Sequence, residues 1–426
     1  MIIITSPPEY FSGQLKVPGD KSITHRALML GAISRGVTEI KGFLDAEDCR
    51  ATINCLRLLG VKINVRGNRL LIEGRGMYLK KASKALDAGN SGTTARLMLG
   101  ILAGQDFETT ISGDQYLQRR PMKRIVEPLQ SMGALFEGES DRLPITIKGG
   151  ELAPLNYKTP RASAQIKSAI LLAALYAEGV TTVEEPYQSR NHTELMLAQF
   201  GANISVNERL VTLEGRPALE GRPVRVPGDI SAAAFFMAAA VLVPDSEVLL
   251  KDVGINPARR GVIDVLFQMG ADIEIQQERR WGSEPVADIL IRGGSPLKGV
   301  EIGGAMIPRL IDEIPALAVV AAAAEGETVI RDADELRVKE SDRISDLAGQ
   351  LLKLGVNITE TEDGMIIKGE AGLKGADVES CGDHRLAMAL AVAGLAAEGE
   401  TAVYGAEIIN VSFPGFMPAL RSLIIK

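Results

Sequence analysis

One layout occurs six times along this chain, and it limits the available folds more than any other feature. Segments 22–42, 92–113, 163–185, 229–252, 312–332 and 383–405 each begin with polar or Gly-containing sequence and continue as an apolar helix. Each then turns, often at Gly, into a β-type run. The likeness is plain in Ala323-Ala324-Glu325-Gly326-Glu327-Thr328-Val329 beside Ala396-Ala397-Glu398-Gly399-Glu400-Thr401-Ala402. Adjacent starts lie about 70 residues apart, with one longer interval, beyond the ~20–50-residue periods that build solenoids.

Within five of the units a helix ends at Gly and alternating strand residues follow, as at Leu59-Gly60-Val61, Met132-Gly133-Ala134, Phe200-Gly201-Ala202, Met269-Gly270-Ala271 and Leu354-Gly355-Val356. Glycine suits the left-handed turn that closes a helix. A further strand follows after a turn, as in Leu70-Leu71-Ile72 or Met365-Ile366-Ile367. Each unit therefore reads strand–helix–strand–helix–strand–strand. The sixth is short of strands, and residues 2–4 are expected to supply its missing edge, which brings both termini into one domain. Val17-Pro18-Gly19-Asp20 is echoed by Val226-Pro227-Gly228-Asp229. Both stretches, near 17–20 and 226–229, read as crossings whose Pro and Gly can serve as hinges. The expected division is residues 17–227 as one domain of three repeats and residues 1–16 plus 228–426 as the other, a pair able to close on ligand.

The totals exclude several classes. A chain of 426 residues can bury two or more cores. A net charge of −7 argues against a nucleic-acid binder, although a basic cleft is compatible with an acidic total. Cys49, Cys55 and Cys381 match no metal or redox spacing and fit a reducing compartment as buried thiols. Met1-Ile2-Ile3-Ile4-Thr5 lacks the charged leader and long apolar core of a signal peptide. Asp, Glu, Pro or Gly interrupts every alanine-rich stretch short of membrane-spanning length. The expectation is a cytoplasmic protein with no nucleic-acid or membrane partner.

Chemistry-bearing residues gather at the helix starts. The first has Lys21, Ser22 and Arg26 beside free backbone N–H groups, which suits a phosphate. The second has Asn90-Ser91-Gly92-Thr93-Thr94, whose small residues let N–H groups approach an anion. The third has Ser163, Ala164 and Gln165, the fifth Asp312 and Glu313, the sixth Asp383, His384 and Arg385. The fourth, Asp229-Ile230-Ser231, reads as a helix cap alone. Arg119 and Arg120, Arg190, Lys339 and Arg343 stand in polar loops nearby in the sequence. Any one of these charges alone would read as solvated surface; recurrence at matching ends of the repeats favours function. Gly19-Asp20-Lys21-Ser22 evokes a phosphate-binding P-loop but has Asp between Gly and Lys. Three histidines without ligand spacing imply no metal. Trp281 and the 278–281 run read as a surface loop.

The blocks 19–26, Leu86-Asp87-Ala88-Gly89-Asn90-Ser91-Gly92-Thr93, Arg120-Pro121-Met122, Ser163-Ala164-Gln165, Arg337-Val338-Lys339-Glu340-Ser341-Asp342-Arg343 and Asp383-His384-Arg385 resemble, in this order, the 5-enolpyruvylshikimate-3-phosphate synthase family. The resemblance covers essentially the whole chain. It implies an α/β fold, a two-domain inside-out α/β barrel of six βαβαββ repeats, three per domain. It also implies transfer of the enolpyruvyl group of phosphoenolpyruvate to the 5-hydroxyl of shikimate 3-phosphate with release of phosphate, on the way to chorismate and the aromatic amino acids. No cofactor and no metal are implied, and a monomer is expected. By the resemblance Lys21, Ser22, Arg26, Ser163, Ala164, Gln165, Arg190, Asp312 and Lys339 hold shikimate 3-phosphate. Lys21, Asn90, Gly92, Arg120, Gln165, Arg343 and Arg385 hold phosphoenolpyruvate. Asp312 is the candidate base at the hydroxyl and Glu340 the candidate acid at the methylene carbon, with Lys21 assisting. One departure stands out: relatives often carry a Lys two residues before the C-terminal Phe-Pro, where this chain has Val411-Ser412 before Phe413-Pro414.

Two other readings compete. UDP-N-acetylglucosamine enolpyruvyltransferase shares the repeat but normally has Asn beside the first Lys and a reactive Cys or Asp in the loop matching 113–122; here stand Ser22 and, at most, Asp114. A non-catalytic phosphometabolite clamp leaves Asp312 and Glu340 without purpose, because carboxylates weaken anion binding.

Overall fold

A computed structural model describes residues 1–138, 141–369 and 372–425. The chain separates into two compact units. The first half comprises 19–226 with 281–284; the second comprises 1–18, 227–280 and 285–426. The expected division at 17 and 227 differs from this chiefly in the short segment 281–284.

Each half is built around three helices that are buried on nearly every side, rich in apolar residues all round. In the first half these are Lys21–Ile33, Gly92–Ala103 and Ala164–Ala174. In the second they are Ile230–Leu242, Ile314–Ala322 and His384–Ala393. In Ile230–Leu242 every residue but Leu242 is buried. Small residues let the axes approach: a Cβ added to Gly100 would stand 2.3 Å from the Ala169 carbonyl oxygen of the neighbouring helix. Sheets cover the helices, and their strands alternate, as in Glu327–Ile330, between buried and more exposed positions. Helices thus lie inside and strands outside in both halves.

The sheets repeat one pattern, in which a parallel first pair is extended by two antiparallel strands. In the second repeat Leu86–Asp87 pairs parallel with Glu108–Ser112, which pairs antiparallel with Ile145–Lys148, itself paired with Leu135–Glu137. Distant segments fill the gaps. Val224–Arg225 supplies the first strand of the first repeat, parallel to Arg35–Lys41. Ile2–Thr5 pairs antiparallel with Thr401–Tyr404, the edge expected for the sixth. Tyr10–Leu15 serves the fourth, parallel to Glu247–Gly254, and the C-terminal Ile424–Ile425 joins beside it. Phe416 of the last helix packs edge-on to Phe235 and also meets Phe236 and Phe413, sealing that end of the second core.

The glycines that close the second helices, Gly60, Gly133, Gly201, Gly270 and Gly355, all have positive φ. The crossings are tight: a Cβ on Gly19 would fall 1.9 Å from the Gly42 carbonyl oxygen, and Asp229 N–H donates to Pro18 O at 2.9 Å. One expectation is corrected. The 278–281 run is not a loop but the end of strand Asp272–Trp281, and the Arg225 guanidinium lies 3.3 Å from the centre of the Trp281 ring. Cation–π attraction explains an aromatic residue at a hairpin end. Cys49 and Cys55 are buried as expected, while Cys381 is half-exposed.

Candidate active site

In each half the helix starts carry the candidate residues, and the two sets are held differently. In the first half Asp20 caps helix Lys21–Ile33, its carboxylate accepting Ile23 N–H at 2.8 Å. Lys21, on the opening turn, donates to Asp48 at 3.0 Å. Arg26, one turn further on, is buried and donates to Thr193 Oγ1 at 2.6 Å, Ser168 Oγ at 2.8 Å and Ser22 O at 3.0 Å. Burial lowers its pKa to about 10, so it stays charged at neutral pH. Burial, then the neighbouring Lys21 and Arg26, push His25 well below its ordinary value, leaving a neutral imidazole. His25 hydrogen-bonds Thr52 at 2.8 Å, and the chain continues through Thr94 to Ser91, the cap of helix Gly92–Ala103. Two helix starts are thereby tied together by uncharged groups.

Arg120 donates to Asn90 Oδ1 at 2.7 Å, and Asn90 Nδ2 donates to Asp114 at 2.8 Å. The other Asp114 oxygen accepts the Tyr116 and Leu117 N–H groups at 3.0 and 2.8 Å. Both oxygens of Asp114 are therefore engaged in shaping this loop. A Cβ on Gly92 would meet Arg96 Nη1 at 2.8 Å and Arg120 Nη1 at 3.4 Å. Arg96 in turn donates to Gln165 Oε1 at 2.8 Å. Ser163 caps helix Ala164–Ala174, so Ala164 contributes a backbone N–H in its first turn. Arg190 is half-buried in the loop before helix His192–Gln199.

In the second half Arg343 is 1 % exposed and gathers three carboxylates. Its Nε lies 2.6 Å from Asp383 Oδ2, Nη1 3.2 Å from Asp312 Oδ1, and Nη2 2.6 Å from Glu340 Oε2. Burial opposes the charge, yet these carboxylates hold the guanidinium pKa above its ordinary value. Lys339 Nζ is 3.7 Å from Asp312 Oδ1, and Arg385 donates to Asp312 O at 2.9 Å. Asp383 caps helix His384–Ala393 through Arg385 N–H at 2.8 Å. The fifth helix begins two residues later than expected, at Ile314, with Asp312 and Glu313 in the turn before it. The candidate residues of this half, Asp312, Lys339, Glu340, Arg343 and Arg385, thus form one cluster.

Asp229 is more than the cap it was read as. It accepts Ser231 N–H at 2.8 Å, but buried Arg259 also donates to it at 3.3 Å and to Ser231 Oγ at 2.8 Å. The Ser231 hydroxyl donates to Glu313, so helix starts four and five share one buried network. Asp48, Arg96, Arg259 and the engagement of Asp114 escaped the sequence reading. Arg96 carried a signal, since it lies four residues after Gly92 on the same helix face. Arg259 carried none, because its partners are far off in the chain. Among the described residues no three His, Cys, Asp or Glu side chains group as metal ligands, and no helix is long and apolar enough to cross a membrane.

The model of the family described as EPSP synthase (3-phosphoshikimate 1-carboxyvinyltransferase) matches residues 5–420. A 3-phosphoshikimate 1-carboxyvinyltransferase from Thermoanaerobacter sp. (strain X514) is 55% identical over 417 residues, 98% of each chain. One from Desulforamulus reducens is 52% identical over 430 residues, with both chains covered completely, at 100%. A solved structure of EPSP synthase from Acinetobacter baumannii superposes with a TM-score of 0.89 at 44% identity, covering 100% of this chain and 98% of that one. The enolpyruvyl transferase NikO from Streptomyces tendae, 18% identical with a TM-score of 0.80, shares the fold.

Proposed function

Because the chain belongs to the EPSP synthase (3-phosphoshikimate 1-carboxyvinyltransferase) family, we infer that it transfers the enolpyruvyl group of phosphoenolpyruvate to the 5-hydroxyl of shikimate 3-phosphate and releases phosphate. The observation that carries this reading is the unlike chemistry of the two helix-start clusters. Each substrate bears a phosphate and a carboxylate, and bringing them together requires charge to offset their repulsion. Arg26, Arg96 and Arg120 donate to neutral oxygens, so their charge is not cancelled by those partners. In this reading Ser22, Arg26, Ser163, Ala164 and Arg190, with Asp312 and Lys339, bind shikimate 3-phosphate. Asn90, Gly92, Arg120, Arg343 and Arg385 bind phosphoenolpyruvate, and Lys21 and Gln165 serve both.

The chemistry is proton traffic around an addition and an elimination. Asp312 takes the 5-hydroxyl proton as the oxygen attacks C2 of phosphoenolpyruvate. Glu340, assisted by Lys21, delivers a proton to the methylene carbon, giving a tetrahedral ketal. Removal of a proton from the new methyl group then expels phosphate and restores the double bond. A carboxyl that donates must give up the guanidinium on its oxygen, so the reading has the incoming phosphate draw Arg343 away from Glu340. The polypeptide acts in the cytoplasm as a monomer on two small anions.

Phosphate release with both substrates, and with each alone, tests the assignment. Release that requires both supports it; release with UDP-N-acetylglucosamine in place of shikimate 3-phosphate overturns it. The Asp114 contacts favour the first outcome, since both of its oxygens are already committed to the loop. Binding of both anions without turnover would establish the clamp instead.

A further inference from the structure

Three charged side chains of the first half have no part in the chemistry above. Lys167, Glu185 and Glu194 are 1 %, 3 % and 4 % exposed. Lys167 Nζ lies 2.7 Å from Glu185 Oε2 and 2.7 Å from Glu194 Oε1. Burial alone would lower the ammonium pKa, but the two carboxylates more than offset it and the value stands above the ordinary one. Buried ion clusters are seldom more stabilising than apolar packing of the same volume. What this one holds is therefore more informative than its energy.

Glu185 is a bridge. Its Oε1 accepts Ser163 N–H at 3.1 Å, and its Oε2 accepts Ser189 N–H at 3.2 Å. Ser163 caps the helix on which Lys167 stands one turn later, and Ser189 precedes Arg190. Glu194 follows Thr193, whose hydroxyl receives Arg26 Nε at 2.6 Å and bonds Ser168 Oγ at 2.6 Å. One ammonium thus joins the start of helix Ala164–Ala174, the loop carrying Arg190 and the helix that orients Arg26.

We propose that Lys167 is a positioning residue which, by drawing Glu185 and Glu194 onto one point, fixes Ser163, Arg190 and Arg26 at the spacing shikimate 3-phosphate requires. The proposal rests on the reading that those three residues bind that substrate. It predicts selectivity: most phosphoenolpyruvate contacts, Asn90, Gly92 and Arg120 among them, belong to other helix starts, and of that set Gln165 is the one on the helix that Ser163 caps.

The experiment measures KM for each substrate, with the other saturating, in the full chain. Lys167→Met leaves two buried carboxylates facing each other, and KM for shikimate 3-phosphate should rise about tenfold or more while that for phosphoenolpyruvate stays within about twofold. Lys167→Arg should restore most of the affinity. Glu185→Gln keeps Lys167 paired with Glu194 but turns an N–H donor toward Ser163 or Ser189. It should give the same selective rise and serves if Lys167→Met does not fold. An unchanged KM for shikimate 3-phosphate in either folded variant, or equal rises for both substrates, would overturn the proposal. Ser163→Ala and Arg190→Ala separate it from its premise. If these raise KM for shikimate 3-phosphate and the triad variants do not, the proposal alone fails; if they leave it unchanged, the premise fails and takes the proposal with it.

Discussion

The two helix-start clusters share one repeated layout, yet they hold Arg26, Arg96 and Arg120 on one side and Arg343 on the other differently. In the first half the arginines rest on hydroxyls, amides and carbonyls: Arg26 on Thr193 and Ser168, Arg96 on Gln165, Arg120 on Asn90. In the second half Arg343 meets Asp312, Glu340 and Asp383, and Lys339 approaches Asp312. A hydrogen bond from a guanidinium to a neutral oxygen orients it without that partner cancelling its charge. A guanidinium held by carboxylates shares its charge with them and also fixes those acids in place. The same scaffold thus surrounds its arginines with neutral acceptors in one half and with carboxylates in the other.

The largest expected effect lies in the second half. Asp312→Asn or Glu340→Gln should cut kcat by a factor on the order of 10² or more while leaving the dissociation constant of shikimate 3-phosphate within about threefold, as measured by calorimetry and steady-state rates. A loss confined to binding would erase the contrast between the halves. Next comes Gly92→Ala, which sets a methyl carbon 2.8 Å from Arg96 Nη1 and displaces a cation of the first half. KM for phosphoenolpyruvate should rise about tenfold. An unchanged KM would show that the lost space is not what matters.

Asp114→Ala should leave the Tyr116 and Leu117 N–H groups and the Asn90 amide without their acceptor. A loss of about 1–3 kcal/mol in denaturant unfolding is expected, with a smaller rise in KM for phosphoenolpyruvate. The smallest effect is an acid limb in the second half. Asp252 and Asp288 share Arg279, with Lys16 at 2.6 Å from the first and Lys251 at 3.0 Å from the second. Burial raises both carboxyl pKa values, but the cations and hydrogen bonds outweigh it and both end below the ordinary 3.8. Their stabilisation is complete above that unfolded value and is lost as pH falls through the lower folded values. Asp288→Asn should flatten the decline in melting temperature below about pH 4.

Local signals carried much of the architecture. The closing glycines were legible because a left-handed turn needs them, and all five have positive φ. The helix starts after Asp20, Ser91, Ser163 and Asp383 were legible because polar sequence gives way there to an apolar run, but the capping by those four side chains was not read. What escaped depends on separation along the chain. Arg259 reaches Ser231 and Asp229 from a later loop, and Asp114 reaches back to Asn90. No periodicity encodes such pairings. Trp281 misled for a related reason: the charged run before it reads as surface, and the Arg225 that covers its ring lies far upstream.

The strand exchange at the start of the chain bears on synthesis. Residues 2–15 leave the ribosome well before their partners, Glu247–Gly254 and Thr401–Tyr404, are made. The intervening 19–226 half draws its own first strand from Val224–Arg225, so it can finish while the leading segment waits unpaired. The second core closes only after Thr401–Tyr404 has been made. Its folding therefore lags behind that of the 19–226 half, and the segment 2–15 must be kept from straying onto other exposed edges until then.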